Sequence, residues 1–68
     1  MAAKSSRIDD VSSSLSYIGE AAVGASESSP VWRIMRITIV GSETRIHYAN
    51  GSTSWNNAWV DRASLTYS

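Results

Sequence analysis

The sequence has no cysteine, no phenylalanine and only one histidine in 68 residues. The lack of cysteine excludes disulfide bonds and thiolate metal sites. Zinc would have to combine His47 with carboxylates, and the six acidic residues show no ligand spacing. We therefore expect neither a metal ion nor any other cofactor.

A net charge of one sign and long apolar runs are absent as well. Six Lys and Arg residues balance six Asp and Glu residues, so the chain lacks the positive charge that attracts nucleic acid. No apolar run approaches the roughly 20 residues that span a bilayer, and the first residues lack the apolar segment of a secretion signal. The sequence predicts a soluble protein made in the cytoplasm, without a membrane partner and with no support for nucleic acid as a partner.

The short chain limits the hydrophobic core. A domain of this size buries only about 60% of the surface that its unfolded chain exposes. Domains this small usually add disulfides, a metal ion or a partner subunit to their core. Because the composition leaves only the partner subunit, we expect a homo-oligomer.

The first 14 residues are rich in serine and charge and poor in apolar side chains. Such a segment gains too little from burial to offset the entropy of ordering it. The sequence therefore predicts a flexible N-terminal arm over residues 1–14 and a small β domain over residues 15–68. The arm is either a frayed tail or a segment that orders against a neighbouring subunit, with Arg7, Ile8 and Val11 as its contact residues.

Two segments predict the first strands of the β domain. Residues 15–21 alternate apolar and polar side chains around Tyr17, which is typical of a short strand. Residues 31–40 are dense in β-branched and aromatic side chains, which favour a sheet over a helix. The apolar side chains of this long strand point to both faces, as in a strand that is covered on two sides.

We expect residues 44–49 to return as the partner of the long strand after a loop at residues 41–43. That register places Ile37 opposite His47. One face would then form the core, and the other would need a cover from a neighbouring subunit. The core face would carry Trp32, Ile34, Val40, Ile46 and Tyr48, and the second face Met35, Ile37 and Ile39.

The rest of the chain predicts a turn and two short elements. Residues 50–51 are Asn-Gly, and both accept the positive φ of a type I′ turn. A single helical turn capped by Ser54 would bring Trp55 and Trp59 to one side. Residues 63–68 alternate and predict the last strand. The sequence thus predicts an all-β protein, a small antiparallel sheet or barrel-like module of about four strands.

No arrangement of residues indicates catalysis. His47 has no nucleophile or carboxylate that the sequence identifies as its partner. The chain also lacks a G-x-S-x-G motif and the glycine-rich motifs that bind phosphates or dinucleotides. We do not expect an enzyme.

The aromatic side chains are the more informative set. Every ring carries a polar group, which suits half-buried positions at interfaces or under sugars. We expect these rings to anchor the core or to stack a ligand, and Arg33, Arg36 and Arg45 add positive charge around the hairpin. The aromatic candidates are Tyr17, Trp32, Tyr48, Trp55, Trp59 and Tyr67.

Four segments form a pattern that is specific in combination. They are Tyr-Ile-Gly-Glu-Ala at residues 17–21, Trp-Arg-Ile-Met-Arg-Ile at residues 32–37, Tyr-Ala-Asn-Gly at residues 48–51 and Trp-Val-Asp-Arg-Ala-Ser-Leu-Thr-Tyr-Ser at residues 59–68. In this pattern the chain resembles a family of short virion-associated structural proteins of tailed bacteriophages. The resemblance covers residues 17–68. It departs at Asn50, where the family pattern leads us to expect aspartate, and at Trp55, where another aromatic residue is usual.

The resemblance implies a structural protein of the phage tail, fibre or capsid surface that joins the virion after synthesis in the host cytoplasm. Its partners would be copies of itself and other virion proteins, bound through the arm and the second apolar face of the long strand. A carbohydrate-binding adhesion module is the alternative, with Trp32, Trp55 or Trp59 stacked on a glycan of the host surface. A third hypothesis is a β module that binds single-stranded nucleic acid.

Overall fold

The computed structural model describes residues 4–68, and in this range the chain forms one four-stranded antiparallel sheet. The strands are β1 (Lys4–Ser12), β2 (Leu15–Ala22), β3 (Arg33–Val40) and β4 (Glu43–Tyr48), and they lie side by side in chain order. A short 3₁₀ helix (Trp59–Asp61) follows in the segment after β4. The predicted all-β class with about four strands is confirmed.

The predicted flexible arm is wrong for the described residues, because most of it is the edge strand β1. This strand pairs antiparallel with β2 through a two-residue connection at residues 13–14, and Ile8 lies opposite Ile18. Closing so short a loop between β1 and β2 costs little conformational entropy. The backbone N–H and C=O groups on one side of β1 form hydrogen bonds with β2. The side chains of the segment bury little apolar surface, so its order comes from the backbone pairing with β2. Residues 1–3 of the predicted arm lie outside the described residues.

The charged side chains of β1 contact the rest of the same chain. Nε of Arg7 lies 2.8 Å from Oε2 of Glu27, and its guanidinium carbon is 5.6 Å from the centre of the Trp32 ring. Nε of Arg62 lies 3.0 Å from Oδ2 of Asp9. The charges that predicted disorder therefore connect β1 to two later segments.

Removing the ion pair between Asp9 and Arg62 is expected to loosen β1. Arg62 also donates a hydrogen bond to the Trp59 C=O and lies 4.5 Å above the Trp59 ring. Arg62→Gln should therefore cost more stability than Asp9→Asn, which should cost about 1 kcal/mol or less. Amide hydrogen exchange should show reduced protection in β1 for both variants and little change for Arg45→Gln. Unchanged protection of β1 in Asp9→Asn would contradict this role of the pair.

The hairpin between β3 and β4 has a two-residue loop rather than the predicted three-residue loop. The loop begins at Gly41, which has a φ of 61°. Ile37 consequently lies opposite Ile46 and not opposite His47. A shift of one residue exchanges the faces of a strand, so Ile46 and Tyr48 lie on the face opposite to the core.

The core lies on one face of the sheet, under the segment that follows β4. Trp32 and Ile34 are buried there, as predicted, whereas Val40 is half exposed near the far end of β3. The predicted core is therefore wrong at Val40. It is also wrong at Ile46 and Tyr48, which the observed register places on the opposite face. The buried cluster consists of Tyr17, Ala21, Trp32, Ile34, Ala49 and Trp59, with Leu15, Ala25, Leu65 and Tyr67 packed against it.

The predicted Asn-Gly turn is present. Asn50 has a φ of 56° and Gly51 a φ of 63°. The Ser52 N–H donates to the Ala49 C=O at 3.2 Å across the two residues. The turn directs the chain from the end of β4 back over the core.

The other two predicted elements of this segment do not form. The 3₁₀ helix begins at Trp59 and does not include Trp55, so the two rings are not on one side of a helical turn. Residues 63–68 form a single bridge, Ala49 to Tyr67, and no strand. Their alternating pattern instead turns apolar side chains onto the core.

Candidate interaction surface

The second face of the sheet is partly exposed, most of all at Ile8, Ile39 and Ile46. Alternation along each strand directs one set of side chains away from the core, and the exposed fractions are 68% for Ile8, 54% for Ile46 and 46% for Ile39. We call this surface the open face. Its apolar side chains are Ile8, Ile18, Met35, Ile37, Ile39, Ile46 and Tyr48.

Cross-strand pairing aligns these side chains in rows across the sheet. Ile8 pairs with Ile18, Ile18 with Met35, and Met35 with Tyr48, so one apolar row crosses all four strands. The next row consists of Asp10, Ser16, Ile37 and Ile46. The two rows form the centre of the open face.

The open face contains the predicted second face of the long strand and extends it. Met35, Ile37 and Ile39 lie there, as does the predicted contact residue Ile8. Val11, another predicted contact residue, is 55% exposed beside an irregularity in the pairing of β1. Sequence reasoning missed the contributions of β2 and β4. The period of two in β2 and a two-residue hairpin loop were the signals that could have found them.

Charged side chains lie near both ends of the open face. Arg33 forms an ion pair with Glu20 at one end, and Lys4 lies in the same region. The hydrogen bond from Arg33 lowers the pKa of Glu20, although burial of this carboxyl opposes the shift. Toward the other end, Asp10 accepts a hydrogen bond of 2.6 Å from Ser16 Oγ. Within residues 4–68, neither Lys4 nor Asp10 has an ion-pair partner.

The tryptophans divide between the core and the edge of the open face. Trp32 and Trp59 are 0% and 4% exposed and stack on each other at 5.9 Å, so neither offers a ring to a ligand. Trp55 is 41% exposed. The guanidinium of Arg33 lies 4.6 Å and the ammonium of Lys4 5.4 Å from the centre of its ring. Trp55 is therefore the tryptophan whose ring is accessible to a ligand.

Known proteins provide no template for this surface. No protein-family model, curated protein or solved structure matches the chain. The surface itself is a broad apolar sheet face with charges toward its ends. A face of this shape suits another protein surface better than a small molecule, because small-molecule sites are concave.

The three arginines around the hairpin do not form one basic patch. Arg33 belongs to the open face, whereas Arg36 and Arg45 point to the other side of the sheet. Arg36 lies 4.9 Å from the centre of the Tyr67 ring, and Arg45 pairs with Glu43 at 3.2 Å. Binding of a single nucleic-acid strand by all three would require a path across both faces.

His47 lies opposite Arg36 across β3 and β4. Nδ1 of His47 is buried and has no hydrogen-bond partner in the described part of the chain. No group of three or more His, Asp or Glu residues that could hold a metal ion occurs between residues 4 and 68. In the same range, no helix has both the length and the apolar character to cross a membrane.

Tyr67 predicts a dependence of stability on alkaline pH. Burial raises the pKa of Tyr67 to about 12, Tyr17 adds to the shift, and the positive charges of Arg36 and Arg62 partly oppose it. Because the pKa is higher in the folded than in the unfolded chain, the stabilising effect is complete below about pH 10 and is lost between about pH 10 and 12.

Urea unfolding at several pH values should show this loss. Tyr67→Phe should reduce the dependence above pH 10, and it should also lower stability at neutral pH because the Tyr67 hydroxyl donates a 2.7 Å hydrogen bond to the Arg62 C=O. If wild type and Tyr67→Phe lost equal stability above pH 10, the pH dependence would come from ionisable groups other than Tyr67.

Proposed function

We propose that this protein is a structural subunit of a tailed-phage particle and acts by binding copies of itself and other virion proteins. Two independent observations support the proposal. The four-segment pattern over residues 17–68 resembles virion-associated proteins, and the open face provides a surface through which a subunit can assemble. The open face is the observation that carries the assembly role.

The open face is incompletely buried in the isolated chain. Fully burying one isoleucine side chain contributes about 1.5–3 kcal/mol. The isolated chain leaves about half of this contribution unused at Ile39 and Ile46, and more than half at Ile8. A partner surface that covered the face would recover it, which favours assembly over a monomer.

One face of the sheet forms the core of the subunit, and the other is available for binding. The covered face contains the tryptophan pair and the rest of the buried cluster. The side chains of the open face belong to the same strands but are not part of this buried cluster. A substitution on the open face can therefore weaken assembly while the subunit still folds.

Ile37→Asp is expected to impair assembly much more than folding. Ile37 lies in the centre of the open face, so an aspartate there would place a charge in the covered interface. Thr38→Asp is the matched control, because the adjacent residue points to the other side of β3 and lies opposite Arg45. Urea unfolding should show a loss of about 1–2 kcal/mol for either variant, because both side chains are partly buried. Light scattering should show weakened association only for Ile37→Asp, and equal loss of folding and association would contradict the proposal.

Mass spectrometry of purified phage particles, separated into heads and tails, tests the virion role. The proposal expects the protein in one fraction at a stoichiometry that matches a symmetric assembly. It also expects synthesis in the host cytoplasm before incorporation. Absence from both fractions would contradict the virion role.

Trp55 supports a second candidate, a carbohydrate-binding adhesion module. Its exposed ring lies beside Lys4 and Arg33, which could bind the acidic groups of a host-surface glycan. Titration with host polysaccharide should change the tryptophan fluorescence of wild type and leave Trp55→Ala unchanged. No response in wild type would remove the support for this candidate. If single-stranded nucleic acid gives the response instead, that binding should weaken as salt rises.

A further inference from the structure

β1 is an edge strand, and half of its backbone groups point away from the sheet. In an antiparallel pair, alternate residues direct their N–H and C=O groups toward the partner strand. The hydrogen bond from the Ala49 N–H to the Ile34 C=O fixes this alternation, and the pairing registers extend it to β1. The residues of β1 whose backbone groups point away from β2 are therefore Lys4, Ser6, Ile8 and Asp10.

No other backbone segment within residues 4–68 bonds to this outer edge. The Ser6 C=O accepts a 3.1 Å hydrogen bond from the side chain of its neighbour, Arg7. Ile8 has the largest exposed fraction, 68%, among the large apolar side chains of the described chain. The edge thus presents backbone donors and acceptors beside an uncovered isoleucine, a combination that suits an added β-strand.

Resting on the proposed assembly role, we propose that β1 pairs antiparallel with β1 of a second copy, around a two-fold axis at Ile8. Ile8 then lies opposite Ile8 of the second copy, and Ser6 lies opposite Asp10 on either side. These pairs exchange about six backbone hydrogen bonds. The two four-stranded sheets join into one, and the apolar row through Ile8 continues from one copy into the other.

The charged side chains of β1 favour this register. With the axis at Ile8, Arg7 of each copy lies directly opposite Asp9 of the other, and such pairs of opposite charge stabilise a sheet. Arg7 is already paired with Glu27 of its own chain. Asp9 is likewise paired with Arg62. The contact therefore joins ion pairs of the two copies into a network in which positive and negative charges alternate.

Neighbouring registers are less favourable. An axis at Arg7 sets that residue against Arg7 of the second copy, and an axis at Asp9 sets two carboxylates against each other. Like charges directly opposite each other destabilise a sheet. An axis at Ser6 places Lys4 opposite Ile8 and forms no ion pair. Charges on an edge strand usually oppose pairing, but their order along β1 favours one alignment with a second copy.

The outer edge of β4 is less suited to such pairing. The end of the chain covers part of it, since the Ser68 N–H donates a 3.3 Å hydrogen bond to the Tyr48 C=O. Pairing of Thr44 with Ile46 of a second copy sets Arg45 against Arg45. Pairing centred on Thr44 runs into the hairpin loop, and pairing centred on Ile46 needs the same Tyr48 C=O.

Edge pairing covers neither face of the sheet with the second copy. The ion pair of Arg33 with Glu20 and the contact of Lys4 with the Trp55 ring therefore keep their partners. The open face stays available to other virion proteins. Because the contact is short, we expect a dissociation constant in the micromolar range, which the high local concentration in a particle would exceed.

Amide hydrogen exchange of the wild-type protein at low and high concentration tests the pairing. The amide protons that should exchange about fivefold more slowly at high concentration are those of Ser6, Ile8 and Asp10. Those of Arg7 and Asp9 point to β2 and should change less, because they are bonded in the monomer as well. Those of Thr44 and Ile46, on the other edge, should not change.

Ile8→Pro removes an N–H group that the pairing needs. Proline is tolerated where the N–H of an edge strand faces away from the sheet, so the ladder with β2 should remain. Sedimentation equilibrium should show a dissociation constant at least about tenfold higher than that of wild type. Ile46→Pro is the matched control, since it makes the same change on the outer edge of β4, and its dimer should match that of wild type. Urea unfolding checks that both variants fold.

An exchange of charges tests the register. Arg7→Glu and Asp9→Arg should each weaken the dimer by about tenfold, because each sets like charges against each other twice. In an equimolar mixture, the two variants should form a heterodimer that is tighter than either homodimer, since both contacts then join opposite charges. Each substitution also breaks an ion pair within its own chain, and recovery in the mixture excludes this loss as the cause of weakening.

Three results would overturn the inference. They are a wild type that stays monomeric up to about millimolar concentration, protection gained on β4 instead of β1, and a mixture that does not recover affinity. Ile37→Asp should weaken association through the open face and leave the edge dimer intact. The virion role is tested separately by particle mass spectrometry, so failure of the edge dimer is distinguishable from failure of the proposed function.

Discussion

A Gly19→Ala variant is expected to lose most of its stability against unfolding. Gly19 lies in β2 directly beneath the tryptophan pair of the core. A Cβ atom at this position would lie 2.5 Å from Cε3 and 2.7 Å from Cζ3 of Trp59, and 3.2 Å from Cε3 of Trp32. Both indoles are rigid and buried, so one of them or the strand has to shift.

The expected loss is about 3 kcal/mol, at the upper end of what overpacking costs in a compact core. A core of this size rarely supplies more than about 3–5 kcal/mol of net stability. Replacing a strand glycine by alanine usually stabilises a protein by about 0.5–1 kcal/mol through the entropy of the unfolded chain. The sign of the effect therefore identifies the contact with the indoles as its cause.

Urea unfolding followed by circular dichroism measures the loss at Gly19. Ala22→Val is the matched control, because it enlarges an exposed side chain of the same strand and should change stability by less than about 0.5 kcal/mol. A second substitution, Trp59→Leu, should cost less in the Gly19→Ala background than in wild type, since it removes the clash. Full stability of Gly19→Ala would contradict the packing of the core described above.

Trp32→Ala is expected to prevent folding under ordinary conditions. Trp32 is completely buried, its Nε1–H donates a 2.9 Å hydrogen bond to the Ser26 C=O, and its ring stacks on Trp59 at 5.9 Å. Its backbone also exchanges two hydrogen bonds with Asn57. Removing a buried tryptophan side chain costs about 3–5 kcal/mol, which is as large as the stability available to so small a domain.

Two variants separate the parts of this effect. Trp32→Phe retains a ring and loses the hydrogen bond to Ser26, so it should cost about 1–3 kcal/mol. Trp55→Ala removes a 41% exposed ring and should cost less than Trp32→Phe. The unfolding temperature should therefore be lowest for Trp32→Ala, higher for Trp32→Phe and highest for Trp55→Ala. If Trp55→Ala were as unstable as Trp32→Ala, the contributions of the tryptophans to stability would not follow their burial.

The sequence predicts those features that depend on neighbouring residues. β-branched and aromatic side chains define the strands around Tyr17 and along β3, and the Asn-Gly dipeptide defines the turn at residues 50–51 because both residues accept positive φ. The apolar pattern on both sides of β3 correctly placed Met35 and Ile37 on a face other than that of Ile34.

Features that depend on the neighbouring strand were not predictable in the same way. Residues 4–12 carry little apolar surface, and their order comes from pairing with β2 and from the ion pair of Asp9 with Arg62, 53 residues away. The register of β3 and β4 depends on one residue of loop length at Gly41. That single residue decides whether Ile46 joins the core or the open face.

By itself, the sequence determined an all-β chain without disulfides, with a small core and with more apolar side chains on β3 than one face can bury. The tertiary structure alone decided that Trp59 packs against Gly19 while Trp55 stays exposed, because the contact with Gly19 joins two segments that are far apart in the sequence. It also decided which side chains share the open face. Strand alternation is a local property, but the surface it produces depends on how four strands are aligned.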